Sequence, residues 1–305
     1  FILFLFFLLI IFIFLLSTIG IETNKFNKLI SEEIKQSKSV NLKLNTIKFK
    51  LDPKKLSLFL ETENPKIVYK NILFPIKNVK IYIDFLSLLK SNPQIKKTNI
   101  IFEELNINEL KKLSTIIKPS NFKSLLINNV REGKIFSEVE IFLNDKGLLE
   151  NFIAKGSIKK LKARIIKDIE ISKTSLNFFA DKNDILIKNI FGDIDDIKIL
   201  EGDIKINLDN GIKLTSNFNS KIDLNEKFLN KHLKSSNNFY FENRIKNVKA
   251  DLNNNFSIEF DKTYKINNYK YEVSGNVEKV NFELIKPFQN DFIQEKIKDI
   301  FFSNI

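Results

Sequence analysis

The N-terminal 21 residues carry no charged side chain, and the first 16 are Phe, Leu and Ile alone. A helix of this length, at about 1.5 Å per residue, would be about 31 Å long and would match a bilayer core of about 30 Å. A cleaved signal peptide has a shorter apolar region, of about 7–15 residues, and an A-x-A-like site, for which Ser17 and Gly20 are a weak match. The sequence therefore predicts a transmembrane anchor over residues 1–21.

The chain begins with Phe1 and contains no Met, so we expect an N-terminal flank to be missing and the intact protein to be longer. Lys25 and Lys28 follow the apolar segment. Orientation in a membrane depends on the basic residues on both flanks, so these two lysines alone do not fix the side on which the body lies.

The next segment, residues 22–38, has the spacing of a short amphipathic helix. Phe26, Leu29, Ile30 and Ile34 fall on one helical face, with Lys, Glu and Gln between them. A helix of this kind can lie on a membrane surface, but capping the end of the following sheet is the commoner role and the one we expect.

From Val40 onward the apolar residues recur with a period of two, which predicts β-strands. The phase slips near Thr46, which predicts a β-bulge. Residues 52–53 (Asp-Pro), 144–147 (Asn-Asp-Lys-Gly) and 209–211 (Asp-Asn-Gly) predict turns. The alternating segments are residues 40–44, 47–51, 56–60, 79–85, 100–107, 139–143, 185–187, 204–208, 212–218, 239–241, 256–260 and 280–284.

Helical spacing returns at three places within this β-rich region. It predicts helices over residues 108–118 and within 225–234, and a further helix in the tail from 287 to 305. No Gly/Ser-rich or Pro-rich linker interrupts residues 39–305, so we expect one elongated β domain. The predicted fold class is thus mostly β: a transmembrane helix, then an extended antiparallel sheet with a few short helices.

Each predicted strand has one apolar face and one charged face, the pattern of an antiparallel sheet that is dry on one side. A closed sandwich would bury those apolar faces against each other. An open, curved sheet would present them along a groove. The period of two is compatible with both arrangements.

The composition argues against an enzyme, and we predict no cofactor and no metal. There is no Cys, the single His232 is flanked by Lys231 and Leu233, and no nucleotide-binding or nucleophile motif occurs. Asp193, Asp195 and Asp196 do not meet the EF-hand pattern and are better explained as a charged turn.

The net charge of +12 suggests nucleic acid as a partner, but the placement of the aromatic residues and the scarcity of arginine argue against it. The 30 Phe residues lie mostly on predicted apolar faces. Of the 49 basic residues only Arg131, Arg164 and Arg244 are arginines, the side chain that best reads bases and phosphates. We therefore predict no nucleic-acid binding and attribute the charge mainly to a Lys-rich, Ile-rich and Asn-rich composition.

The order of these features resembles the AsmA-like family, which includes the TamB and YhdP branches. An apolar helix, an amphipathic helix and a strand pair broken at residues 52–53 lead into the stretch 71–90, where a strand is followed by a Leu-rich turn (85–89). A further strand region, 94–107, follows. The resemblance is most specific over residues 1–107, and beyond them it rests on the general style of short amphipathic strands. It concerns patterns rather than a catalytic signature, and the chain is shorter than full-length members.

The resemblance implies a single-pass inner-membrane protein whose body lies in the periplasm of a Gram-negative bacterium. Members of the family are bridge-like lipid-transfer proteins that shield phospholipid acyl chains in an apolar β groove on the way to the outer membrane. Phospholipids are then the expected ligand, and outer-membrane or envelope proteins are further candidate partners. The residues predicted to line the groove are Val79, Ile81, Ile83, Val139, Ile141, Ile204, Ile206, Phe256, Ile258 and Val280.

The alternative function is a membrane-tethered structural or assembly module. In that case the β body is a packed sandwich that binds another envelope protein, and the same ten side chains lie in its core.

Overall fold

The computed structural model of the protein describes residues 2–23, 40–54, 57–83, 94–116, 119, 121–166, 169–209, 211–233, 243–261, 265–290 and 293–303. Within these residues the chain is mostly β-strand with a few short helices, as the sequence predicts.

The helices of the described residues are α1 (Ile2–Thr18), α2 (Ile107–Ser114), α3 (Asn121–Asn129) and α4 (Glu226–Leu233). The strands are β1 (Ile21–Thr23), β2 (Val40–Lys43), β3 (Ile47–Asp52), β4 (Ser57–Glu63), β5 (Lys66–Tyr69), β6 (Ile72–Phe74), β7 (Ile76–Ile83), β8 (Ile95–Phe102), β9 (Leu105–Asn106), β10 (Val130–Leu143), β11 (Leu149–Ile166), β12 (Ile169–Ala180), β13 (Asp184–Ile194), β14 (Ile197–Asn207), β15 (Ile212–Asn225), β16 (Asn243–Phe260), β17 (Ile266–Asn290) and β18 (Ile293–Ser303).

The described strands form two sheets. The main sheet has 15 strands in the order β1-β3-β4-β7-β8-β10-β11-β12-β13-β14-β15-β16-β17-β18, and β9 pairs with β10 beside this path. The second sheet has three strands in the order β2-β5-β6. From β10 to β18, each strand of the path is hydrogen-bonded to its neighbours in sequence.

The chain divides into two compact units. The first consists of Phe1–Asn128, Gly133–Ser157 and Phe179–Lys182, and the second of Asn129–Glu132, Ile158–Phe178 and Asn183–Ile305. The sequence contains no linker that predicts this division, because the boundary runs through strands rather than between them.

The N-terminal helix is shorter than the 21-residue segment predicted from composition. The Ser17 and Thr18 hydroxyls donate to the Phe14 carbonyl at 3.0 and 2.7 Å. Gly20, with φ of 78°, donates its N–H to the carbonyl of Leu15 at 3.0 Å. A glycine in this left-handed conformation is a common helix C-terminus, and Ile21 then begins β1 instead of extending the helix.

No helix in the described part of the chain combines the length and the apolar character needed for a membrane crossing.

The phase slip at residues 44–46 is a change of sheet, and the predicted β-bulge is wrong. β2 pairs with β5 in the three-stranded sheet, whereas β3 pairs with β1 and β4 in the main sheet. The residues between them belong to no strand, so the alternation restarts because the chain moves from one sheet to the other.

The predicted turns are confirmed. Residues 52–54 lie in the connection from β3 to β4, where the Lys54 N–H donates to Asp52 Oδ1 at 3.0 Å. Asn144 accepts from the Gly147 N–H at 2.9 Å between β10 and β11. Of the turn predicted at 209–211, residue 210 lies outside the described residues, and residues 209 and 211 lie between β14 and β15, which are paired with each other.

The helix predicted over 108–118 is confirmed as α2, which begins one residue earlier and ends at Ser114. Its first turn is closed by a capping box, in which the Asn106 side chain accepts from the Glu109 N–H and the Glu109 side chain accepts from the Asn106 N–H. The short helix predicted within 225–234 is confirmed as α4. The predicted helix over 22–38 lies outside the described residues from 24 onward, as do the Leu-rich turn (85–89) and the strand at 239–241.

The helix predicted in the tail is wrong, because residues 287–290 belong to β17 and residues 293–303 belong to β18. Ile297 and Ile300 are three residues apart, which places them on one face of a helix but on opposite faces of a strand. In the structure they face Phe288 and Phe282 across the β17–β18 pair. Pairing with a long neighbouring strand thus overrides the local helical pattern.

Gly275 is a position where the β16–β17 pair leaves no room for a side chain. Its φ is 155°, and an added Cβ would collide with the Asp251 carbonyl oxygen and lie 2.9 Å from the Leu252 Cα. We expect Gly275→Ala to lower the free energy of unfolding by about 1–3 kcal/mol, because only backbone could move to relieve the clash. Urea unfolding measures this loss, with the neighbouring exposed Ser274→Ala as the control. Equal stability of the two variants would contradict this strand pairing.

Candidate functional site

The first unit has an apolar face on the main sheet that runs across five strands. In register, Phe49 of β3, Leu60 of β4 and Ile81 of β7 lie side by side. Val79 is paired with Ile100 of β8, which is paired with Val139 of β10. In the same way, Ile81 is paired with Thr98, which is paired with Ile141. Ile83 lies opposite Leu58. The five residues predicted in this unit (Val79, Ile81, Ile83, Val139 and Ile141) therefore share one face, as directly paired residues do.

A cavity of about 210 Å³ lies on this apolar face. Almost all of its accessible lining is apolar. Leu44 between β2 and β3, Pro65 between β4 and β5, and Ile67 of β5 form one part of its wall. From the main sheet the lining residues are Ile47, Leu60, Glu61, Thr62, Val79, Ile81, Thr98 and Ile100.

A buried apolar cluster adjoins this cavity and supplies part of its wall. Ile47, Leu60 and Ile83 are buried and form one cluster, against which Leu44 and Ile81 pack. Ile47 is only 2% exposed. The predicted groove residues Val79 and Ile83 are therefore core residues of a covered face, and Ile81 is half-buried.

The opposite face of the same strands carries charged residues that are paired with each other. Glu61 is 7% exposed and lies between Lys50 and Lys80, with its Oε2 2.7 Å from Lys50 Nζ and its Oε1 3.5 Å from Lys80 Nζ. Asn78 Nδ2 donates to Glu61 Oε1 at 3.0 Å. Farther along, Glu140 accepts from Lys97 at 3.1 Å.

These contacts set the ionisation of Glu61. Burial on its own would raise the pKa of the carboxyl group, but hydrogen bonds from Lys50 and Asn78 and the charges of Lys50 and Lys80 outweigh it. The pKa of Glu61 is therefore lowered, and the group is a structural carboxylate rather than a proton donor at neutral pH.

The second unit has its own apolar face, formed by β13 to β17. One row across the strands is Ile185, Ile206, Leu214, Ile258 and Tyr269, each paired with the next. The adjacent row across the same strands is Ile187, Ile204, Ser216, Phe256 and Tyr271. The residues predicted in this unit (Ile204, Ile206, Phe256 and Ile258) all lie in these two rows.

Val280 lies on the same face farther along β17. It is paired with Val248, which is ten residues from Ile258 in β16 and therefore lies on the same face of that strand. Glu278 is an extra residue in β17, at the register shift between Lys249 and Ala250 of β16. Because of this shift, Val280 lies on the same face as Tyr269 although the two are an odd number of residues apart. The structure thus places all five predicted residues of this unit on one surface.

This second apolar face is exposed over a large part of its area. Tyr269 is 75% exposed, Tyr271 60% and Val273 45%, and the predicted residues are half-buried. α4 packs against β15 and β16, and Leu224 and Leu229 are buried there. All described strands of the second unit belong to the main sheet.

The reverse side of the second unit is polar. Asn217, Asn219, Asn253 and Asn255 form a ladder of side-chain amide hydrogen bonds across β15 and β16, for example from Asn253 to Asn219 at 2.8 Å. Nearby, Lys221 and Lys249 lie 3.5 and 3.3 Å from Glu278. The unit is therefore amphipathic across the thickness of its sheet.

The acidic residues near Gly192 serve the turn between β13 and β14. Asp195 donates its N–H to the Glu170 carbonyl at 2.9 Å and accepts from the Glu170 N–H at 3.2 Å. Asp193 pairs with Lys173 at 3.2 Å. In the described ranges, no group of three His, Cys, Asp or Glu residues is placed to hold a metal ion.

The sequence reasoning missed two parts of these surfaces. The covering residues Pro65 and Ile67 could not be identified, because nothing in a two-residue period tells which of two sheets a strand joins. Tyr269, Tyr271 and Val273 could have been identified, because they alternate with Lys270 and Glu272.

No protein-family model, curated protein or solved structure matches this chain. Functional inference therefore depends on the two apolar faces and on the residues that cover or expose them.

Thr62 is a buried hydroxyl within the apolar cavity of the first unit. It is 7% exposed, and its Oγ1 has no hydrogen-bond partner among the described residues. We expect Thr62→Val to raise the free energy of unfolding by about 1 kcal/mol, because the substitution removes an unsatisfied polar group with little change of shape. Urea unfolding measures this gain. Thr98→Val, at a half-buried position on the same wall, is the control, and a loss of stability in Thr62→Val would contradict the unpaired hydroxyl.

The lowered pKa of Glu61 makes the stability of the first unit depend on pH. Its folded-state pKa is below the unfolded value, so the stabilisation is complete above the unfolded pKa and is lost as pH falls through the folded pKa. We expect Glu61→Gln to cost about 2 kcal/mol at pH 7 and progressively less as the pH falls below about 4.5. Urea titrations at a series of pH values measure the difference.

The exposed Glu150→Gln is the matched control and should follow the wild-type pH profile. A constant stability difference between Glu61→Gln and wild type from pH 7 to pH 3 would contradict the ion pairing.

Proposed function

We propose that this protein is a membrane-anchored, non-enzymatic lipid-transfer protein that shields phospholipid acyl chains on its apolar β faces. As the resemblance implies, the chain would be anchored in the inner membrane of a Gram-negative bacterium, and its body would carry phospholipid across the periplasm toward the outer membrane. The exposed apolar face of the second unit would be the open part of the groove.

The observation that carries this proposal is the exposure of Tyr269, Tyr271 and Val273 beside the rows that contain Phe256 and Ile258. Scattered apolar side chains on a surface are ordinary, but a contiguous face of them usually marks a binding surface. A polar reverse side, with its ladder of asparagines and its Lys–Glu pairs, keeps the unit compatible with water while one face is apolar.

The ligand chemistry follows from the side chains on that face. Each CH₂ of an acyl chain that leaves water gains about 0.8 kcal/mol, and aliphatic and aromatic side chains provide the surface for it. An exposed apolar sheet face does not require a ligand of one shape, so it suits chains of varied length and unsaturation. The rows hold few polar groups, which disfavours sugars or nucleotides as the cargo.

The N-terminal helix supports the membrane part of the proposal. From Leu3 to Leu15 its apolar side chains are exposed on all sides, whereas Leu16 is buried, and the end of the helix contacts β3. Such a surface is stable in an apolar medium and costly in water. The proposal is that this helix and the adjoining residues insert in the bilayer.

A charge placed on the open face should stop transfer while the fold persists. We expect Ile258→Asp and Val273→Asp to slow the transfer of fluorescent phosphatidylethanolamine from donor to acceptor vesicles about tenfold, because a carboxylate against an acyl chain costs more than 1.4 kcal/mol. Ser257→Asp and Ser274→Asp are the matched controls. They add the same charge one residue away, on the polar face, and should transfer lipid at the wild-type rate.

Urea midpoints and far-UV circular dichroism establish that each variant is folded. Unchanged transfer in a folded Val273→Asp, or an equal loss in Ser257→Asp, would overturn the proposal. If Ile258→Asp unfolds the protein and the wild type transfers no lipid, the apolar face is packed in a core. The alternative function, a membrane-tethered module that binds another envelope protein, would then be favoured.

A further inference from the structure

The cavity of the first unit differs from the open face of the second in being partly enclosed. Leu44, Pro65 and Ile67 line it together with residues of the main sheet, and its volume of about 210 Å³ exceeds that of an engineered apolar cavity of about 150 Å³ that binds benzene. An apolar cavity of this size is an available binding site for a small amount of hydrocarbon.

The lining decides which kind of ligand can enter. Its polar groups are few, and the buried hydroxyl of Thr62 has no hydrogen-bond partner among the described residues. A ligand group with several donors or acceptors would lose its hydrogen bonds to water without replacement. The part of the ligand inside the cavity must therefore be hydrocarbon.

The surroundings of the cavity indicate an elongated ligand. Thr98 and Ile100 on its wall are paired with Ile141 and Val139 of β10, so the apolar face continues past the cavity to the next strand. Val139 and Ile141 are half-buried rather than covered completely. A molecule whose end occupies the cavity can lay its remaining length along this face.

We propose that this cavity holds the terminal methylenes of a single alkyl chain, and that Leu44, Pro65 and Ile67 form the wall that retains it. This deepens the proposed function and rests on its premise that the apolar faces take acyl chains. The first unit then binds one chain end in a fixed place, whereas the open face of the second unit supports a chain along its length.

The test is photocrosslinking of the full chain in detergent micelles with a lysophosphatidylcholine whose acyl chain ends in a diazirine. Mass spectrometry of tryptic peptides locates the attached chain end. We expect label on the peptides that carry Leu44 and Ile67, which both line the cavity.

Filling the cavity should displace the chain end. Ile67→Phe adds volume toward the cavity, and Val68→Phe adds it on the opposite face of the same strand and is the matched control. We expect Ile67→Phe to reduce labelling of the Leu44 peptide about tenfold, which corresponds to the loss of about two buried CH₂ groups, and Val68→Phe to leave it unchanged. Thr98→Phe fills the cavity from the main sheet and gives a second variant if Ile67→Phe fails the urea-midpoint check.

Each other outcome overturns the inference in a distinguishable way. Label confined to the Tyr269–Val273 region would overturn the cavity site and leave the proposed function standing, and label nowhere on the chain would count against both. Equal labelling of wild type and Ile67→Phe would overturn the site. So would labelling of the cavity by a small phenyl diazirine but not by the lysolipid, which would indicate a compact ligand instead of a chain.

Discussion

Strand register is the constraint on which the rest of this structure depends. Side chains alternate between the two faces of a strand, so a slip of one residue would move every apolar side chain to the charged side. Across β14, β15 and β16 the register sets Ile206, Leu214 and Ile258 in one row. On the other face it brings Asn217 and Asn219 against Asn253 and Asn255, where their amides bond to one another. The apolar face and the polar reverse side are therefore products of the same pairing.

The two units use this amphipathic sheet differently. In the first, Leu44 and Ile81 pack against Ile47, Leu60 and Ile83, which form a core. In the second, the described residues leave Tyr269, Tyr271 and Val273 exposed on the apolar face. The same residue pattern thus produces a folding core in one unit and a candidate binding surface in the other.

Most strands and the apolar face of each could be predicted from the sequence, because apolar and polar residues alternate along a strand that is buried on one face. The alternation of Val79, Ile81 and Ile83 and that of Phe256 and Ile258 predict both strand and face, and the structure confirms each strand. The failures have one physical origin, since local patterns do not specify a partner strand. The slip at residues 44–46 is a change of sheet, and Ile297 and Ile300 pair with β17 although their spacing fits a helix. Val79 is buried and Tyr269 is exposed, although both follow the same alternating pattern. The difference depends on which other segments pack on each face, and a local pattern does not contain that information.

The sequential strand order from β10 to β18 has a consequence for how such a chain is made. Every strand in that series meets its partner as soon as the next one is synthesised, so loop-closure entropy stays small and no distant segment is needed to complete a pair. Growth of the sheet by whole hairpins would leave earlier pairings intact, as in repeat proteins whose units contact only their neighbours. The number of strands in the sheet can therefore change in evolution without changes in the earlier strands, provided that strands are gained or lost in pairs.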